Sequence, residues 1–123
     1  MPTPVIHTNP DEHIVAMFAT RNLYTALPAA YNSLCAFNPD VHVYLFIEDD
    51  TLPYKTPANV TPVNVSTQEI FPSTGPCFRT RYTYMILLKA AMTKLFPDAS
   101  RAVILDVDTI TCASIAQMWT YDL

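Results

Sequence analysis

Two aspartates separated by one residue, Asp106 and Asp108, form the sharpest chemical pattern in this chain of 123 residues. They follow the apolar run Arg101–Leu105, which is typical of a buried β-strand. Two carboxylates at a strand end can converge on one divalent cation, and their hard oxygen atoms suit Mn²⁺, Mg²⁺ or Ca²⁺. Such a cation can bridge to a diphosphate. The alternative is a strand end whose aspartates cap a turn and a short helix predicted over Ser114–Thr120.

A second acidic cluster, Glu48-Asp49-Asp50, follows another apolar run. It offers a further metal site, although such runs are more often solvated loops at strand ends. Tyr24 follows the first apolar run, and its ring is able to stack on a nucleobase. Its helical spacing favours the alternative, an aromatic side chain that faces the core at the start of a helix.

Three of the seven basic residues are Arg79, Arg81 and Lys89. Arg81 precedes a predicted helix, and Lys89 lies on that helix away from its apolar face. These side chains are able to contact a phosphate, and the alternative is ordinary surface charge. The three histidines have no mutual spacing that indicates a metal site.

Composition excludes several other kinds of site. A single glycine excludes the glycine-rich loops that bind dinucleotides or cradle phosphates. The three cysteines lie far apart, which argues against a disulfide framework or a zinc-thiolate site and favours the cytoplasm. A net charge of −4 gives no indication of a nucleic-acid partner. No apolar run approaches the ~20 residues of a membrane span.

The elements that must position these residues alternate along the chain. After a loose lead-in over residues 1–12, we predict four strands, over residues 13–20, 41–47, 63–65 and 101–105. Apolar residues at helical spacing predict helices over 25–37 and 82–96, and prolines predict a loop over 51–62. The order β-α-β-β-α-β implies one α/β domain with a mostly parallel sheet. Ligands of such sheets bind beyond the carboxyl ends of the strands, where the polar clusters lie.

Three ordered blocks of sequence carry a family resemblance. They are residues 14–40, with the run IVAMFAT and Tyr24; residues 81–98, which end in LFPD; and residues 101–123, with the motif LDVDT. Together they resemble the N-terminal half of a family-8 retaining glycosyltransferase, the family of glycogenin, galactinol synthase and bacterial galactosyl- and glucosyltransferases. The resemblance covers about residues 13–123. It implies a GT-A-type, Rossmann-like nucleotide-binding unit that is truncated after the DxD strand.

The resemblance implies a metal-dependent enzyme that transfers a hexose from a nucleotide sugar, UDP-glucose or UDP-galactose, to an acceptor hydroxyl. Asp106 and Asp108 would hold Mn²⁺ or Mg²⁺, and Tyr24 would stack on uracil. The residues implied in donor binding are Ala19, Thr20 and Tyr24 at the base, Val107 at the ribose, Asp106 at the metal-bound diphosphate, and Arg81 and Lys89 at the diphosphate or donor sugar.

Arg21 stands where some members of the family use an acidic or Asn side chain to recognise the base. The family also continues beyond its DxD strand, so catalytic, acceptor-binding and further metal-binding residues are expected beyond Leu123. We therefore expect a donor-binding half-site with little or no transfer activity of its own.

Two other functions stay open. One is a non-catalytic module that binds a nucleotide sugar, or a partner or second copy that covers an open edge of the sheet. The other is a phosphatase of the haloacid-dehalogenase type, whose DxDxT motif is similar to Asp106–Ile110 but normally opens its domain.

Overall fold

A computed structural model of the chain describes residues 3–71 and 84–121, which form a four-stranded, all-parallel sheet with helices. The strands are β1 (Ile14–Phe18), β2 (His42–Ile47), β3 (Val60–Asn64) and β4 (Ala102–Ile104). Their spatial order is β3-β2-β1-β4. The predicted α/β class and parallel sheet are confirmed.

The first strand of the chain, β1, lies inside the sheet between β2 and β4. All five of its residues are apolar and buried, as expected for a strand that is covered on both faces. Val15 and Met17 pack into the core on one face of the sheet, and Ile14 and Phe18 pack on the other. Phe18 stacks on Phe46 of β2, with ring centroids 4.7 Å apart.

The first of these faces is covered by the helix α1 (Leu27–Phe37), which follows a 3₁₀ turn over Arg21–Ala26. Pro28 lies in the first turn of α1, where its missing N–H removes no helical bond. Asn38 ends the helix, and its side-chain amide donates to the Leu34 carbonyl at 3.0 Å. The predicted helix is therefore present, but the residues before Leu27 are wound more tightly.

The opposite face is covered by a helical segment in three parts. These are the short helix α2 (Tyr84–Leu87), a 3₁₀ turn over Leu88–Ala91, and the short helix α3 (Met92–Leu95). The prediction of one continuous helix over residues 82–96 is wrong in its middle turn, and residues 82 and 83 lie outside the described residues. Apolar periodicity does not distinguish one tighter turn from an α-helical turn.

The third strand begins earlier than predicted. β3 starts at Val60, although prolines predicted a loop up to residue 62. Pro62 lies opposite Leu45 in the register of β2 and β3. Because β3 is an edge strand, its prolyl nitrogen can face away from β2 without removing a bond of the ladder.

The N-terminal lead-in contains no helix or strand over residues 3–12, but it is bonded to the rest of the fold. The Ile6 N–H donates to the Leu95 carbonyl at 2.8 Å, and His7 Nδ1 lies 2.8 Å from the Asp98 carboxylate. These two contacts attach the lead-in to α3 and to the residues that follow it.

The C-terminal part of the described chain forms a 3₁₀ turn over Ala116–Trp119, where a short helix was expected. Within residues 3–71 and 84–121, no helix is long and apolar enough to cross a membrane.

Candidate functional site

The strand order creates a crevice at the carboxyl ends of β1 and β4. From β1 the chain proceeds to β2 on one side, whereas β4 pairs with β1 on the other side. Between two such strands the connections diverge to opposite faces of the sheet, and ligands of open parallel sheets bind at this position. The Asp106 and Asp108 pair follows β4 directly, so the sheet brings it to this crevice.

A cavity of about 250 Å³ opens beside the two aspartates. It is lined by Phe18, Leu23, Ile86, Lys89, Asp106, Val107 and Asp108. These residues come from the end of β1, the 3₁₀ turn that follows it, the helical segment and the loop after β4. The cavity therefore joins four separate parts of the chain at the point between β1 and β4 where the connections diverge.

The loop after β4 turns both carboxylates outward. Val107 is buried on the α1 face of the sheet, while Asp106 and Asp108 on either side of it are exposed. The Thr109 hydroxyl donates to the Asp106 carbonyl at 2.7 Å and closes the turn. The alternation places an anchoring apolar side chain between two acidic side chains that line one cavity.

Among the described residues that line this cavity, Lys89 is the cation. Its Nζ donates to Asp106 Oδ1 at 2.7 Å, with side-chain exposures of 30% for Lys89 and 66% for Asp106. Among the described residues, the Asp108 carboxylate has no hydrogen-bond or salt-bridge partner. The two aspartates are thus unequal, because one already faces a positive charge.

The donor atoms of Asp106 and Asp108 fit a divalent cation that brings further ligands with it. Within the described residues, no group of three or more His, Cys, Asp or Glu side chains is arranged to hold a metal. Mg²⁺-type cations commonly take one or two carboxylates from the protein and complete their coordination with water and substrate phosphates. Two oxygen-donating side chains on an open cavity match that mode of binding.

The predicted base-pocket residues lie at the end of β1. Ala19 is buried, and its N–H donates to the Phe46 carbonyl at 2.9 Å, which extends the pairing of β1 and β2. The Thr20 hydroxyl donates to the Asn22 side chain. Tyr24 is only 7% exposed and belongs to the core on the α1 face, which is the alternative that its spacing favoured. In this conformation its ring has no open face for a base to stack on.

Tyr24 also connects the end of β1 to the second acidic cluster. Its hydroxyl donates to Asp49 Oδ2 at 2.9 Å and accepts the Glu48 backbone N–H at 2.8 Å. Arg21 Nε donates to Asp49 at 3.0 Å, and the Arg21 N–H donates to Glu48 Oε1 at 2.9 Å. From the other face of the sheet, the Tyr84 hydroxyl donates to Glu48 Oε2 at 2.9 Å. We call these five residues the β2-end network.

The electrostatics of the β2-end network follow from these contacts. The hydrogen bond from Arg21 is the main cause that lowers the pKa of Asp49 below its ordinary value of 3.8. Burial raises the pKa of Tyr24, and burial together with the hydrogen bond to Glu48 raises the pKa of Tyr84. Asp49 is thus held as an anion and both phenols are held neutral. The carboxylates of Glu48 and Asp49 bond to the protein itself, and the Asp49 side chain is also 40% exposed. The cluster is thus a partly solvated strand end, and a second metal site stays a prediction.

Two predicted basic residues, Arg79 and Arg81, lie outside the described residues, so their predicted contacts with phosphate stay predictions. Sequence reasoning missed Phe18, Leu23 and Ile86, which line the cavity. Leu23 and Ile86 are apolar side chains that are exposed near the carboxyl ends of the strands. Such exposure indicates a ligand contact, but it becomes visible only once the fold is known.

Comparison of the chain with protein-family models, with curated proteins and with solved structures gave no match. Functional inference therefore depends on the site and on the resemblance of the sequence blocks.

Proposed function

We propose that the described residues form the donor-binding half of a metal-dependent, retaining glycosyltransferase. The enzyme would move a hexose from a nucleotide sugar, UDP-glucose or UDP-galactose, to an acceptor hydroxyl. One observation carries the proposal: Asp106, Asp108 and Lys89 line a single cavity at the switch between β1 and β4. This is where an open parallel sheet binds its ligand, and two anions with one cation are suited to a metal-bound diphosphate.

In this proposal, Asp106 and Asp108 hold Mn²⁺ or Mg²⁺, which would neutralise charge on the diphosphate leaving group when bound. Lys89 approaches a phosphate oxygen with its ammonium group. The backbone around Val107 faces the ribose. A cavity of about 250 Å³ is smaller than most ligand pockets, which suits a site that holds part of a nucleotide sugar.

The base would lie beside Ala19 and Thr20 at the end of β1. Because Tyr24 is buried, we propose that it supports the end of β1 from within the core. Stacking on uracil would require its ring to become exposed. Leu23 is exposed and lines the cavity, so it offers an apolar contact to the donor in place of that ring.

We assign donor binding, and not the transfer step, to the described residues. The proposal includes the cytoplasm as the location of the protein. Cys35 and Cys112 are free thiols in the structure, as expected in a reducing compartment.

Calorimetric titration of UDP, UDP-glucose and UDP-galactose into the chain, with Mn²⁺ and again with a chelator, tests the proposal. We expect metal-dependent binding of at least about millimolar affinity. Asp106→Asn and Asp108→Asn should each weaken binding about tenfold or more, because each removes an anionic metal ligand.

Asp40→Asn is the matched control. Asp40 is exposed and lies just before β2, at the opposite end of the sheet from the cavity. It should leave the dissociation constant unchanged. Binding that is equal with metal and with chelator, or equal in Asp106→Asn and the parent chain, would contradict the metal assignment. Release of phosphate from an aryl phosphate would favour the haloacid-dehalogenase alternative instead.

A further inference from the structure

Asp106, one of the two proposed metal ligands, already forms a salt bridge with Lys89. The Lys89 ammonium lies 2.7 Å from Asp106 Oδ1, which is the separation of a direct charge-assisted hydrogen bond. A divalent cation that binds the same oxygen must displace the ammonium, because two positive charges at such a short separation repel each other. Metal binding and the Lys89 contact are therefore competing uses of Asp106.

The Lys89 side chain has space to move away from Asp106. A second cavity of about 330 Å³ lies between the helical segment and the outer edge of β4, and Lys89 lines this cavity as well. Its side chain is partly exposed and its stem is flexible, so it can leave Asp106 without unpacking the core. A bound diphosphate would offer the ammonium an anionic partner in place of Asp106.

We propose that Lys89 is a built-in counter-cation, which occupies Asp106 until a divalent cation and a diphosphate arrive together. Lys89 lowers the affinity of the site for the metal alone and raises its affinity for the metal with the diphosphate. The metal and the nucleotide therefore bind cooperatively, and each increases the affinity for the other by the same factor. This inference depends on the donor-binding function proposed above. It explains how the site favours the metal together with the diphosphate over the metal alone.

Lys89→Met tests the inference, because methionine keeps most of the aliphatic stem and removes the charge. Free Mn²⁺ is measured by electron paramagnetic resonance, and UDP binding is measured by calorimetry with Mn²⁺ and with a chelator. Lys94→Met is the matched control, since Lys94 lies on α3, is exposed and does not line either cavity.

Two opposite changes are expected for Lys89→Met. Its affinity for Mn²⁺ alone should rise about two- to fivefold, as expected when an exposed salt bridge no longer competes. Its affinity for UDP in the presence of Mn²⁺ should fall about tenfold, because a charged contact to phosphate is lost. Lys94→Met should match the parent chain in both measurements.

Unchanged or weaker binding of Mn²⁺ alone to Lys89→Met would overturn the inference, whatever happens to UDP. If the parent chain binds no UDP under any condition, the proposed donor-binding function fails. The Mn²⁺ titrations without nucleotide still decide in that case whether Lys89 competes for Asp106, so the two failures are distinguishable.

Discussion

Two acidic clusters follow the strands on either side of β1, and the structure treats them in opposite ways. Glu48 and Asp49, after β2, bond to Arg21, Tyr24 and Tyr84. Asp106 and Asp108, after β4, line a cavity, and Lys89 is their cation among the described residues. The carboxylates of the first cluster bond to several parts of the fold, whereas in the second cluster Asp106 pairs with one partly exposed lysine and Asp108 lines the cavity.

The difference arises from what surrounds each strand end. The end of β2 lies close to the 3₁₀ turn over Arg21–Ala26, which follows β1, and to α2. Its carboxylates therefore receive hydrogen bonds from both of these elements. β4 pairs with β1 and is the strand at the other edge of the sheet, and its own residues are more exposed than those of β1. Acidic residues at a strand end indicate a ligand site where neighbouring elements leave some of them unsatisfied, as they leave Asp108 among the described residues.

The contrast between the two clusters predicts that replacement of Tyr24 by alanine has the largest effect on the free energy of unfolding. The change truncates a buried aromatic side chain and removes the hydroxyl that joins Glu48 to Asp49. We expect a loss of about 3–5 kcal/mol in the free energy of unfolding, or no cooperative transition at all, measured by urea titration. Asp106→Asn should change the same free energy by less than about 0.5 kcal/mol. Equal losses in the two variants would abolish the distinction between the clusters.

Replacement of Tyr24 by phenylalanine isolates the hydroxyl group. The ring stays in the core, while the Glu48 N–H loses its acceptor and Asp49 loses a donor. An unsatisfied buried group costs about 1–3 kcal/mol, so we expect a destabilisation near 1–2 kcal/mol by the same titration. Tyr121→Phe is the control, because the Tyr121 side chain is exposed, and it should be neutral. A neutral Tyr24→Phe would mean that the β2-end network contributes little to stability.

Asp49→Asn should have the smallest effect, and that effect should depend on pH. Arg21 lowers the pKa of Asp49 in the folded chain, so the ionised carboxylate stabilises the fold above the ordinary value of 3.8. This contribution disappears as the pH falls through the lowered pKa. We expect the parent chain to be more stable than Asp49→Asn at neutral pH, and the two unfolding curves to converge well below pH 3.8.

The same experiment in an Arg21→Met background identifies the cause. Without the guanidinium, Asp49→Asn should change stability less, and the double-mutant cycle should assign the difference to this ion pair. A pH dependence that is unchanged in the Arg21→Met background would show that another group stabilises the Asp49 anion.

Much of the fold could be predicted from the sequence. The strands β1 and β2 are continuous apolar runs, and the segment between them has apolar residues at helical spacing. The start of β3 could not be predicted, since a proline normally argues against a strand and only the edge position of Pro62 permits it. The position of β4 beside β1 depends on long-range pairing, which no local pattern contains.

The candidate site was predictable in part. Asp106, Asp108 and Lys89 carry the chemistry that the sequence suggested, and the fold brings them to one cavity. Their pairing was not predictable, because Lys89 and Asp106 are 17 residues apart and meet only through the helical segment and β4. For Tyr24 the resemblance implied stacking on uracil, whereas its helical spacing favoured the core, where the structure places it.

The position of β1 in the sheet also has a consequence for synthesis on the ribosome. β1 emerges early, but the neighbour that covers one of its edges, β4, is the last described strand to be translated. During that interval a fully apolar strand has one open edge, and such strands aggregate or bind chaperones. At about 5–20 residues per second, the delay lasts for seconds. Conditions that slow translation before β4 should therefore lower the yield of soluble chain more than equal slowing after it.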